Sequence, residues 1–540
     1  MELKELKIHK PSLANIYEKM KVDRQPYLDK AREAAKYTIP SLITDDTNSR
    51  PQTIETPHQS VGADGVNNLA AKTTLALLPP NQPFYKFSMD EMAIKQQAQL
   101  TGQDKAKYEQ DITKGLSAVE KMLTDYNEQH GDRVCFGEAQ KHYYVAGNVM
   151  LIHTPKDGLK YYPLNRYVVK RDYVGNILIA ITLETMNFFA LPYEMQETVL
   201  NQIVMKEKKN PEDVTKELKE KDIDLFTCYK RKGKHWETWQ EVEGVEVPKS
   251  RGKYPIDVCP CMPLRYAAIN GESYGRGLIE EYIGDISYLD TLSLAIKETS
   301  LAAAKLLIMV SPNGVTKIKT LAKSKNGDFV VGRPEDVKAL QTEKYYDLRT
   351  AQAEEDKIER RLNRIFLLKA AIQRDAERVT AEEIREMAKD LDEAHGNLYS
   401  TMSKEFQYNY VKISFYHMRK EKGNELPDLI KDKAIKLTVT TGLEALGRGS
   451  ELTKLATFFD IMAKFAQAAQ VVGAKTEPIA AKVAASLNLD IEGLFYTEEE
   501  KAEMQKQAQQ AELMKVAAPN AVNKYGDMMM KQQEQEGQLQ

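Results

Sequence analysis

The stretch that most limits how this chain can fold is "GESYGRGLIEEYIGDISYLDTLSLAIKETSLAAAKLLIMV", residues 271–310. It contains no proline, and no glycine after Gly284. Ile279, Tyr282, Ile283, Ile286, Leu289, Leu292 and Ile296 keep a helical spacing. Beyond Ile296 the stripe gives way to Ser300, Ala302, Ala303 and Ala304, small residues that suit close helix-to-helix approach. A helix of about 33 residues would be roughly 50 Å long. "SPNGVTKIKTLAKSKNGDFVVGRPEDVKAL" follows, where Pro-Asn-Gly, Asn-Gly and Gly-Arg-Pro predict short strands and turns. Helix resumes over "AQAEEDKIERRLNRIFLL". After a short charged loop a third long helix runs from Thr380 to about Lys420, on the stripe Ile384, Met387, Leu391, Leu398, Met402, Phe406, Tyr410 and Ile413. The pattern is a helical hairpin with a turn-rich tip, a charged loop and a returning helix.

Thr380 and Glu383 form a capping box, in which the threonine oxygen accepts from the amide three residues on and the glutamate reaches back. The exit of the charged loop "KAAIQRDAERV" is thereby fixed. The helix "EEDKIERRLNR" carries charge around much of its circumference, which makes sense when copies of the same subunit flank it and supply partners of both signs. Head-to-tail contacts of that kind close into a ring when the rotation permits.

The first half reads as α+β. Amphipathic helices are expected over residues 11–40 and in "VGADGVNNLAAKTTLALL", which Pro79-Pro80 stops. Two further helical stretches follow, the second ending in a strand. Alternating Tyr, Val and Ile around "YVGN" predict a β-hairpin, with more strands at 224–230, 235–242 and 258–266. The segments "ELTKLATFFDIMAKFAQAAQ" and "EPIAAKVAASLNL" are amphipathic helices. From about Thr497 the chain is rich in Gln, Glu, Lys, Met and Ala, against a packed core of its own.

At 540 residues the chain can bury a sizeable core in more than one subdomain. A net charge of −3 gives no basic footprint for wrapping nucleic acid, though DNA that merely passes by is compatible with it. The charged start "MELKELKIHK" lacks a signal-peptide core, and the longest apolar run is far short of the roughly 20 residues a membrane span needs. A soluble intracellular product without membrane association is expected. Four cysteines suggest reduced thiols, and the Cys259-Pro-Cys261 pair falls short of the four ligands of a zinc site. "GVNNLAAKTT" fails as a phosphate loop, because its second glycine is missing and its lysine is one place late. "GESYGRG" precedes a helix too long for a dinucleotide-binding unit. No motif supplies a catalytic centre, a metal site or a cofactor.

"GESYGRGLIEEYIGDISYLD", "NGDFVVGRPEDV", "QRDAERVTAEEIR" and "TGLEALGRG" resemble, in order, the head-to-tail connector (portal) proteins of short-tailed bacteriophages. The resemblance runs from about Tyr167 through Leu446, and "SVGADGVNNLAAKTTLALLPPNQPFYKF" extends it toward the amino terminus. It implies a mostly helical α+β portal fold and a ring, usually of twelve subunits, at one capsid vertex. Double-stranded DNA is packaged through such a ring and later ejected. The resemblance makes residues 1–276 a wing, 277–310 and 347–368 the stem helices, and 311–346 the clip. Residues 369–379 become a tunnel loop, 380–420 a long wing helix, 421–496 a helical crown, and 497–540 a polar tail.

On that resemblance Lys369, Arg374 and Arg378, tempered by Asp375 and Glu377, would face DNA in the channel, with Thr380 and Glu383 anchoring the loop. Mixed charge suits a sliding contact; the plain alternative is a solvent-exposed turn. Lys317, Lys319, Lys323 and Lys325 make the early clip basic, either as a docking surface or as a lysine-rich turn and nothing more. Five acids against two lysines over 277–310 would discourage DNA from sticking to the wall. The implied partners are further copies of the chain, the large terminase subunit, tail adaptor and tube proteins, scaffold, major capsid protein and internal core proteins. ATP hydrolysis would belong to the terminase, and this chain would be no enzyme. It would assemble in the host cytoplasm and end in the virion. Another ring-forming virion protein, such as a tail adaptor, is the alternative, and an enzyme of unknown type is more distant.

Overall fold

The computed structural model describes residues 12–44, 54–80, 84–89, 105–191, 193–207, 210, 222–304, 307–313, 315–321, 323–325, 328–340, 345–368, 381–395, 398–423, 437–441, 458–464 and 482–483. The architecture is mixed α+β and mostly helical. Residues 1–446 form one compact unit and 447–540 another, in which 458–464 are helical.

The chain opens with α1 (Leu13–Lys36), α2 (Val61–Leu77), β1 (Tyr85–Met89), α3 (Lys105–Gln129) and α4 (Asp132–Ala146). Ser12 caps α1 by accepting the Asn15 amide at 3.4 Å, and Pro80 lies just beyond α2. Val66, Leu69 and Leu77 of α2 are wholly buried, each contributing about 1.5–3 kcal/mol. They share one large core with the inner faces of α3 and α4 and with the sheet of β2 (Asn148–Thr154) and β3 (Gly158–Pro163).

A second sheet holds β4 (Tyr167–Arg171), β5 (Ile177–Asn187), β6 (Asp222–Lys232), β7 (His235–Val242) and β8 (Val245–Glu246), in that order, with β9 (Gly252–Pro255) also pairing β7. The expected hairpin is β4–β5. The Asp172 carboxylate closes its turn, accepting the amides of Val174 at 3.0 Å and Asn176 at 2.8 Å, and Gly175 takes φ +97° where a side chain would be strained. α5 (Tyr193–Glu207) packs a small core against the far end of this sheet. Leu13 and Tyr17 of α1 cover its middle, on Val168, Ile181 and Phe226. Arg24 is fully buried there and donates through Nη1 to Tyr17 Oη and to the carbonyls of Asn165 and Tyr167, which ties α1 to β4.

β10 (Cys261–Arg265) pairs β2, and the short strands β11 (Ala267–Ala268) and β12 (Gly275–Arg276) lead into α6 (Leu278–Ala304). At 27 residues α6 spans about 40 Å. The expected helix to residue 310 therefore ends early. β13 (Leu307–Val310) is extended and pairs antiparallel with β14 (Val337–Leu340), because its four apolar residues find a partner strand across the turn region. Between them the described residues include a helical turn, α7 (Ile318–Leu321), and a 3-10 turn at Pro334–Asp336. The chain returns as α8 (Tyr345–Ile365).

The third long helix is described in two stretches. α9 (Ala381–His395) is the first; α10 (Leu398–Met402), a π-helical turn at Ser403–Gln407 and α11 (Tyr408–Lys422) make up the second. Met402, Phe406, Tyr410 and Ile413 are all buried, as the stripe predicts. The region expected to be a helical crown is helical at 458–464 but also contains a strand: β15 (Leu437–Thr441) pairs antiparallel with β1, so this strand belongs with the first half of the chain. Neither strand was expected. "YKFSM" and "LTVTT" are too short to signal a period, and each exists only through the other.

Candidate channel and docking surfaces

The helix α8 ends against α2. Phe366 lies flat over Gly65, where an added methyl would collide with the ring. Asn68 Nδ2 donates to the carbonyls of Phe366 at 2.8 Å and Leu367 at 3.2 Å. Lys72 Nζ donates to Leu367 O at 2.9 Å, setting an ammonium at the negative end of the helix. Leu367 adopts φ +52°, the left-handed conformation that ends helices, there taken by a residue with a Cβ. These contacts fix Phe366 and Leu367, three and two residues before the expected tunnel loop begins. Lys369, Arg374, Arg378 and Thr380 lie outside the described residues. Glu383 falls in the first turn of α9, which begins at Ala381, where a cap at residue 380 would place it. Gly65, Asn68 and Lys72 stand in the stretch rejected as a phosphate loop. Their spacing showed only that the motif fails, and the distant partner at 366–367 could not be read.

α6 and α8 run as a pair. Near their inner ends Ile286, Leu289, Ile358, Leu362 and Phe366 are buried. Arg361 bridges Asp285 at 3.1 Å, and Ser293 Oγ donates to Glu355 at 2.6 Å. Farther out the burial stops. From Asp290 to Ala302 on α6, and from Leu348 to Lys357 on α8, no described side chain is buried. Leu301 is 58% exposed.

The turn-rich segment between β13 and β14 is organised by Asp336. Its carboxylate accepts the amides of Val315 at 2.8 Å and Thr316 at 3.2 Å and the Thr316 hydroxyl at 3.1 Å. Its carbonyl accepts the Ser311 amide, and Thr316 Oγ accepts from Arg333 N. On this frame Lys317, Lys319, Lys323 and Lys325 are all exposed, so the sequence's basic cluster is real as a surface. Val315, Ile318, Phe329 and Val331 are exposed beside them in the same segment.

A buried polar junction joins α3, α4, β2, β3 and α11. The Asp132 carboxylate accepts from Tyr410 Oη at 2.6 Å and from Leu159 N at 2.7 Å. His153 Nδ1 faces His417 Nδ1 at 3.0 Å, so one imidazole donates and the other accepts. Burial holds His417 down at about 3, with His153 and Lys420 adding to it, which keeps it neutral. Burial pushes the Cys135 and Cys228 thiols up to about 12, the behaviour of inert packed sulfur. Among the described residues no three His, Cys, Asp or Glu side chains gather to hold a metal ion, and no helix is long and apolar enough to cross a membrane.

A helix pair with its outer half unburied, tipped by a stitched basic-and-apolar turn region, is the build of a structural assembly protein. The model of the "Bacteriophage head to tail connecting protein" family matches residues 10–492. The portal protein of Escherichia phage T7 is 38% identical over 502 residues, covering 92% of this chain and 90% of that protein. The portal protein of Enterobacteria phage T3 is 37% identical over 491 residues, covering 90% and 88%. Among solved structures, a chain from the virion of a native gene transfer agent particle is similar with a TM-score of 0.36 and 10% identity, covering 80% of this chain and 90% of that one. The chain belongs to the bacteriophage head-to-tail connecting proteins, structural, non-enzymatic components of the virion's portal vertex.

Proposed function

We propose that copies of this chain, twelve in number, close into a ring that conducts double-stranded DNA into the capsid and out again. The observation that carries the reading is the outer half of the α6–α8 pair, where no described side chain from 290 to 302 or from 348 to 357 is fully buried. Single helices so little buried gain stability by packing against neighbours, and identical head-to-tail contacts close into rings. In this reading α6 and α8 are the stem, residues 311–346 the clip, and the segment from 369 to 379 the tunnel loop. The exposed lysines 317, 319, 323 and 325, with the apolar residues among them, are the docking face for terminase during packaging and for tail adaptor afterwards. Scaffold, major capsid protein and internal core proteins are further partners around the ring.

Native mass spectrometry with negative-stain images tests the assembly. Twelve chains of 61.3 kDa give a ring of about 736 kDa with a central hole. A chain that stays monomeric or dimeric at high concentration, even with scaffold present, removes the reading. The loop is tested separately in assembled particles. Arg374→Ala with Arg378→Ala should reduce DNA packaging or retention severalfold, since each lost cation weakens phosphate contact. Particles that package and hold DNA at the original level would mean the loop has no role toward DNA.

A further inference from the structure

A cleft of about 460 Å³ opens between the β4–β5 turn, β6, β10 and the π-helical turn. Its lining includes Arg171, Arg231, Arg265 and Lys404 against a single carboxylate, Glu405. Arg171 is the frame: Nε donates to Ser273 O at 3.2 Å, Nη1 to Gly175 O at 2.9 Å and Nη2 to Pro263 O at 2.5 Å. Three of its five N–H groups are therefore held by carbonyls that carry no neutralising charge. Arg265 donates through Nη1 to Glu272 O at 3.0 Å, while its Nε is buried without a partner among the described residues. Arg231 and Lys404 are exposed at the rim.

The charges are poorly matched. Burial and the nearby Arg265 both draw Arg171 below its usual value, the sign of two guanidiniums crowded together. Burial lifts Glu405 above the usual carboxylate range although Arg171 and Arg265 pull it down, so it offsets the excess only in part. Cys259 Sγ lies on the same wall, 2.9 Å from Cys261 O. Hydrogen bonding with the Cys261 thiol draws Cys259 below the usual thiol range, and Arg171 and Arg231 add to this. Positive potential in a half-enclosed site is what an anion dianionic at neutral pH would relieve.

We propose that this cleft binds a phosphate-class anion, either inorganic phosphate or the phosphate of a mononucleotide, with Arg231, Lys404 and Arg265 Nε as its donors. The cleft is too small for a duplex, so this site is distinct from any DNA channel, and the inference does not depend on ring formation. The test is isothermal titration of the full-length chain with potassium phosphate against potassium chloride of equal ionic strength, then with a 5′-mononucleotide and its unphosphorylated nucleoside. Saturable phosphate binding is expected, weakened at least tenfold by Arg231→Ala with Lys404→Ala, two exposed positions that the fold tolerates. Glu405→Gln should tighten it severalfold, and bound phosphate should slow alkylation of Cys259. Mononucleotide binding much tighter than phosphate, with no binding of the nucleoside, identifies a nucleotide as the source; equal affinities identify free phosphate. Absence of saturable heat at matched ionic strength overturns the proposal, as does unchanged affinity in the double variant.

Discussion

His142 lies on α4 beside Tyr161, ring centres 5.4 Å apart, and its Nδ1 is buried without a hydrogen-bond partner among the described residues. Burial is the main reason its pKa falls to about 4; Glu138 opposes the shift and Lys141 adds to it. An unfolded chain takes up that proton near pH 6.5. Between pH 6.5 and 4 the unfolded state therefore binds more protons than the folded one. The stabilisation is complete above pH 6.5 and is lost as the pH falls toward 4, by up to about 3 kcal/mol for this one group. His142→Phe keeps the ring and removes the titration. Thermal melts of unassembled chain should fall steeply across that window for the parent and less steeply for the variant. Parallel slopes would assign the acid sensitivity elsewhere, with His417 next in line because its value is held at about 3.

At the scale of elements, the turn region between β13 and β14 is organised by one carboxylate. Asp336→Ala removes three acceptor bonds and leaves the amides of Val315 and Thr316 to water, a local cost of about 1–3 kcal/mol. The expected outcome is faster trypsin cleavage after Lys317 and Lys319 with little change in the global melt, because this region adds nothing to the main core. Cleavage at the parent rate would show that the β13–β14 pairing alone suffices. The same region shows what a sequence discloses about elements. Periodic runs such as the stripe from Ile279 to Leu289, or Phe406, Tyr410 and Ile413, declare their helices because the spacing is written locally. The turn region declared itself by Pro-Asn-Gly and Gly-Arg-Pro. The end of α6 did not, since "LIMV" suits helix and strand equally and is decided by residues 337–340, some thirty positions on. β1 and β15 are the extreme case, with 347 residues between the end of β1 at Met89 and the start of β15 at Leu437, a gap no local rule spans. The candidate surfaces divide likewise. The lysines of the turn region, 317 to 325, were legible as composition, whereas the Gly65, Asn68 and Lys72 clamp on Phe366 and Leu367 exists only once two distant helices meet.

At the scale of the whole molecule, the surface that a single copy leaves uncovered is what neighbouring copies could use. Leu301 is 58% exposed near the outer end of α6, among small residues that favour close approach of another helix. A surface change there should alter the unassembled chain by no more than about 0.5 kcal/mol. If neighbours cover the position in a ring, Leu301→Asp places a charge in every copy of a repeated apolar contact, where the cost recurs at each interface. The residues around it sharpen the effect, because 277–310 already holds five acids to two lysines and an added carboxylate finds little compensation. The variant should therefore melt like the parent when dilute and unassembled, yet need at least tenfold more protein to populate rings in native mass spectra. Rings that form at the parent concentration would mean that the outer stem is not a contact between copies. Assembly would then have to come from the first half of the chain or from the turn region between β13 and β14, and the outer half of the α6–α8 pair would be a surface facing solvent or DNA.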